Sequence, residues 1–170
     1  MTVALLIFLA ACAIACVTDS RSRRIPNVLT YAAIGIALAL AGSRGALPFA
    51  EAFGAALLML LVGSALLALG WLGGGDVKLL AAGAATVGFP SFLIVIAYIA
   101  VAGGLFAAIT AWRDGRLQAV LSHITYSIAG KTAIVADPRA RRVPYALAIC
   151  AGTCYYAASE SIAPWLQLVR

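Results

Sequence analysis

Long apolar stretches separated by short charged segments dominate the chain. Uncharged runs cover residues 2–18, 25–43, 52–75, 79–112 and 143–159. A helix rises about 1.5 Å per residue, so roughly 20 residues cross a hydrocarbon core of about 30 Å. Four of the runs match one crossing each. The run 79–112 is too long for one untilted crossing, and Gly88-Phe89-Pro90 divides it at a residue that interrupts helix hydrogen bonding. Between residues 113 and 142, Leu117, Val120, Leu121, Ile124 and Ile128 recur at helical spacing opposite Arg116, Gln118, Ser122 and Thr125. Such a stripe suits a helix lying on the membrane surface. The expected fold class is therefore all-α: a polytopic membrane protein of about six transmembrane helices plus a cytoplasmic interfacial helix. With no internal repeat and no linker, residues 1–170 read as one domain.

Composition strengthens the membrane reading. The chain is 64% hydrophobic and 11% charged, whereas soluble domains have about 45–50% apolar and roughly 25% charged residues. One core cannot hide that surplus, so lipid is the expected solvent for much of the surface. The net charge of +6 lies between the apolar runs rather than in one stripe, which argues for topology and against nucleic-acid binding. With six spans and both termini outside, Arg21, Arg23, Arg24, Lys78, Arg113, Arg116, Lys131, Arg139, Arg141 and Arg142 fall inside, and only Arg44 and Arg170 fall outside. A five-span alternative erases this bias. No Lys or Arg precedes the first run, so it is expected to stay as a span rather than be removed as a signal peptide.

Cys12 and Cys16, like Cys150 and Cys154, are spaced i, i+4 within apolar runs. Each pair shares a helix face with no His or carboxylate, so small packing residues are expected there rather than a metal site or a disulfide framework. His123 lies in the interfacial segment and is expected to face headgroups.

Six acidic residues remain: Asp19, Glu51, Asp76, Asp114, Asp137 and Glu160. Asp19 ends the first span and Asp76 opens the fourth, both at the predicted inner face. Two carboxylates that converge cannot both ionise, and such a pair suits peptide hydrolysis: one activates water while the other protonates the scissile carbonyl. On position alone, both also fit ordinary boundary residues, Asp19 beside Arg21 and Asp76 as a helix cap. Gly73-Gly74-Gly75 before Asp76 suits close backbone approach or a simple turn. Pro26 suits the first turn of the second span, and the arginines before it also serve topology.

Taken together, Asp19-Ser-Arg-Ser-Arg-Arg24-Ile25-Pro26-Asn27 and Gly73-Gly74-Gly75-Asp76-Val77-Lys78 resemble the motifs of the prepilin peptidase family of membrane aspartic proteases. Val143-Pro144-Tyr145-Ala146 resembles that family's final-span pattern, with alanine in place of the glycine expected after the aromatic. The resemblance implies Asp19 and Asp76 as the catalytic pair, with Arg24, Ile25, Pro26, Asn27, Gly73, Gly75, Lys78 and Pro144 as supporting residues. It implies no cofactor and no metal. The implied substrate is a prepilin or pseudopilin precursor, cut after a short basic leader at the cytoplasmic face of the bacterial inner membrane. The small size resembles the Flp/Tad-type form, which implies no N-terminal methyltransferase portion. Two other classes stay open: a proton- or cation-coupled transporter, which usually places its charges near the midplane rather than at one face, and a non-catalytic scaffold for pilus or secretion assembly.

Overall fold

A computed structural model describes residues 2–115, 117, 118, 122 and 145–168, and its side chains as far as residue 160. Among them, six α-helices follow one another: α1 (Val3–Ser22), α2 (Asn27–Gly42), α3 (Ala46–Ala68), α4 (Gly74–Val87), α5 (Ser91–Arg113) and α6 (Tyr145–Leu168). No strand occurs among the described residues. The expected interfacial helix, His123 and Pro144 lie outside the described residues.

The predicted break at Gly88–Pro90 falls between α4 and α5, as expected. Several boundaries differ from the hydropathy runs. α1 continues past residue 18 because Thr18 and Ser22 turn their hydroxyls back onto the helix, Thr18 Oγ1 donating to Ile14 O at 3.0 Å and Ser22 Oγ to Thr18 O at 2.8 Å. Polar side chains satisfied this way do not end a helix. α3 begins at Ala46, so Glu51 lies within it rather than before it. Helix formation depends on backbone bonding, whereas the uncharged run records only where charge is absent. α6 likewise runs beyond residue 159 and includes Glu160.

α1, α3 and α5 are long and apolar enough to cross a membrane, and α2 is a shorter apolar helix. Their outward faces carry exposed apolar side chains such as Leu61, Val101 and Leu105. Water would penalise so extensive an apolar exterior, and lipid does not.

α4 occupies the centre. Nine of its 14 residues are buried, and it packs against α2 and α3 most extensively, with further contacts to α1, α5 and α6. Lipid tails are as apolar as leucine, so helices in a membrane associate through close packing rather than through escape from water. The composition of α4 suits this, since Ala81, Ala82, Gly83, Ala84 and Ala85 let neighbouring helices approach its backbone. The buried hydroxyls of Thr30, Thr86 and Thr153 each donate to a carbonyl of their own helix, at 2.7–3.0 Å. No buried side-chain polar atom lacks a partner among the described residues.

The tightest approach is between α5 and α6, where a Cβ at Gly152 would come within 2.6 Å of the backbone N and Cα of Ile99. Backbone cannot swing aside as a flexible side chain can. Gly152→Ala is expected to force α6 from α5 and cost about 1–3 kcal/mol, measured as a lowered denaturation midpoint of the purified protein in detergent.

Candidate functional site

The site forms where the end of α1, the link to α2 and the start of α4 meet. Asp19 occupies the last turn of α1, and Arg23 closes that turn in the left-handed conformation (φ 51°), its N–H donating to Asp19 O at 2.9 Å. A non-glycine residue costs energy in that region. The reversal it produces sends Arg24 and Ile25 back across the bundle end instead of onward. Pro26 then caps α2 with φ −61°, ψ 131°, its ring preset for a helix start.

From the other side, the chain leaves α3 at Leu69 and enters α4 after Gly73. Asp76 stands in the first turn of α4, where its Oδ2 accepts the Gly73 N–H at 3.3 Å. This is one half of a capping box; glycine has no side chain to supply the reciprocal bond. The missing side chain matters sterically as well, because a Cβ on Gly73 would lie 2.9 Å from Asp76 Oδ2. A Cβ on Gly75 would lie 3.0 Å from Cβ of Ile25. The glycines thus let the Ile25 segment rest directly on the first turn of α4.

A cleft of about 260 Å³ results, lined by Asp19, Arg23, Arg24, Ile25, Gly73, Gly74, Gly75 and Asp76. Residues 57 positions apart thereby share one opening, and the charge of Asp19 acts directly on the Asp76 carboxyl. Both carboxylates are half-buried. Of the residues singled out from the sequence, Asp19, Arg24, Ile25, Gly73, Gly75 and Asp76 line the cleft itself. Pro26, Asn27 and Lys78 stand behind it.

Lys78 joins the two halves. Its Nζ donates to Asn27 Oδ1 at 2.8 Å and lies 4.8 Å from the centroid of the Tyr31 ring. The ammonium is held between an amide oxygen and an aromatic face, and the start of α2 is tied to the start of α4.

Three further residues belong to this neighbourhood. Tyr31 follows Asn27 by four positions, so helical spacing was the available signal for its place beside Lys78. Arg23 lines the cleft because of its backbone reversal, which a run of arginines does not advertise. Tyr145 opens α6 within electrostatic reach of Asp76, a proximity between distant segments that spacing cannot reveal. Among the described residues, no group of three or more His, Cys, Asp or Glu side chains is placed to hold a metal ion.

An apolar helical bundle with two carboxylates converging in a cleft at one end has the makings of a membrane-embedded hydrolase. The chain matches the family model described as the type IV leader peptidase family over residues 6–108, well over half its length, and it belongs to that family. It is accordingly a protease of the class that removes leaders from type IV prepilins, and its apolar helices fit a membrane protein. The matched segment contains both aspartates and both glycine- and proline-bearing motifs, whereas Tyr145 lies beyond it. No curated protein and no solved structure matches the chain.

The Lys78–Asn27 contact gives a direct test of the coupling between the two motif segments. Asn27→Ala and Lys78→Met are each expected to cost about 0.5–1 kcal/mol. Their double variant should cost less than the sum of the two in detergent unfolding, because one interaction is lost in all three proteins.

Proposed function

We propose that Asp19 and Asp76 are the catalytic pair of an aspartic endopeptidase that cleaves the short basic leader of a Flp/Tad-like prepilin at the cytoplasmic face. The observation that carries this reading is the convergence of the two carboxylates, from helices distant in sequence, on one cleft. In the resting pair one carboxyl is protonated and the other ionised, because two close charges repel. The ionised member takes a proton from water as that water adds to the scissile carbonyl carbon. The protonated member gives its proton to the carbonyl oxygen, producing a neutral tetrahedral diol. Collapse of the diol breaks the C–N bond. The proton gained from water passes to the departing amine, and a diol proton restores the other carboxyl. Gly73–Gly75 keeps side chains away from one wall of the cleft, so an extended substrate backbone has room beside Asp76.

The placement is a multi-pass protein of the bacterial inner membrane, in which the six helices form six spans of a single domain with both termini outside. The excess of basic residues on the inner segments supports it. So does the position of the aspartates at one end of the bundle, where a leader entering from the cytoplasm meets them. A transporter needs its acidic groups along a path through the bundle, which the shared end position does not favour. α4, at 14 residues, spans only about 21 Å, and its enclosure by neighbouring helices suits a short span screened from lipid. The membrane-anchored precursor and surrounding lipid are the partners.

Asp19→Asn and Asp76→Asn are each expected to lower leader removal by on the order of 10³-fold when co-expressed with a cognate prepilin. Processing would be read as the size of the pilin on a gel, with membrane insertion checked in parallel. Processing at the wild-type rate by an inserted variant excludes that residue from catalysis. Orientation has its own test. In a cysteine-free background, Ser43→Cys should react with an impermeant maleimide added outside intact cells, and Ser22→Cys should react only after the membrane is opened.

A further inference from the structure

α1 and α6 pack against each other and each carries two of the four cysteines, at a place the catalytic reading does not use. Cys16 Sγ donates to Ala146 O at 3.2 Å. Ala146 stands about one helical turn before Cys150, so that contact sets Cys16 against the α6 turn that carries Cys150. α1 and α6 pack against each other along this stretch, so Cys16 and Cys150 approach one interface from opposite helices. Cys12 is fully buried behind them, whereas Cys16 and Cys150 are half-buried and Cys154 is exposed on the apolar exterior. All four are free thiols.

Packing alone does not require thiols to face one another across a helix interface, since alanines fill the same interface at Ala15 and Ala146. Of the possible pairings, Cys12–Cys16 and Cys150–Cys154 are intrahelical, and their Cα–Cβ bonds point the same way along the helix. A disulfide needs Cβ atoms about 3.5–4.5 Å apart and side chains directed at each other, which favours a pair on facing helices. Cys16 is also three residues before Asp19, on the same side of α1, and the charge of Asp19 reaches it.

We propose that Cys16 and Cys150 are a redox modification site: a disulfide between them ties α1 to α6 and restrains the helix that carries Asp19. The effect on catalysis rests on the reading of Asp19 given above; formation of the crosslink does not. The site lies inside an apolar bundle, so the oxidant is a lipid-soluble quinone. Both S–H bonds break and one S–S bond forms, and the two electrons and two protons pass to the quinone, which becomes the hydroquinone. Asp19 lies one turn from Cys16 on α1, so a crosslink that fixes α1 against α6 also limits the adjustment of Asp19 toward a substrate lying beside Asp76.

The test uses the full-length protein in detergent, treated with a soluble ubiquinone analogue and then denatured and labelled with a polyethylene-glycol maleimide. The expected result is a fall from four labelled thiols to two. The loss should be prevented by Cys16→Ser or Cys150→Ser, and should persist in Cys12→Ser and Cys154→Ser. Four labelled thiols after oxidation, or a crosslink that survives Cys16→Ser, overturns the site. Cleavage of a prepilin by the oxidised protein is expected to be at least about fivefold slower than after dithiothreitol, with no such difference in Cys150→Ser. Equal rates in a fully crosslinked sample overturn the restraint. A reduced wild-type protein that cleaves no prepilin counts against the protease reading, while the thiol count still decides the crosslink.

Discussion

The contact of Ile25 with the first turn of α4 is the constraint on which the candidate site depends. Asp19 and Asp76 are held by different helices, and neither helix touches the other extensively. What sets their spacing is the short link after α1, reversed at Arg23 and seated on Gly75. Any side chain at residue 75 would need the space Ile25 occupies. The glycine thus serves proximity rather than flexibility, and the cleft is the shape left when two backbone segments meet without side chains between them.

The same economy of side chains runs through the bundle. In lipid the gain on helix association comes from close van der Waals contact, so small residues stand where helix backbones approach most closely, with a few large apolar side chains such as Phe8 and Leu79 filling the gaps between them. α4 carries this furthest: its alanines and glycine form the centre, and Leu79 fills the space beneath the site with no exposed surface. A central helix so enclosed is a rigid platform for the carboxylate at its N-terminus. Lys78, bonded to Asn27 and resting on Tyr31, extends that rigidity to the start of α2. Carboxylates on packed helices are positioned more narrowly than they would be on loops.

Ends of helices are where polar chemistry is least costly in an apolar protein. Backbone groups there are already unpaired within the helix, and side chains such as Asp76 can accept from them. Asp76 is satisfied in this way by the Gly73 N–H, and placing both carboxylates at helix ends on one side of the bundle avoids carrying charge into the hydrocarbon. The thiols present a contrast. They sit one or more turns deeper, where sulfur is tolerated and an ionised group is not, and Cys16 meets the α6 turn that carries Cys150.

Much of the architecture was legible from residue order alone. Uncharged runs located the helices, Gly88-Phe89-Pro90 marked the division of α4 from α5, and the two aspartates stood out because so few acidic residues interrupt the apolar pattern. These features are local: each depends on residues within a few turns of one another. Helix ends were less accurately legible, since hydropathy does not register hydroxyls that satisfy themselves on the helix, as at Thr18 and Ser22, or a helix that begins before its uncharged run, as at Ala46. What only the tertiary structure decided is which segments meet. Convergence of Asp19 with Asp76, the seat of Ile25 on Gly75, the reach of Asp76 to Tyr145, and the meeting of Cys16 with the Cys150 turn all join residues at least 50 positions apart. Spacing along a helix orders its own face, but contacts between helices follow from packing shape, and that is expressed only when the whole bundle has formed.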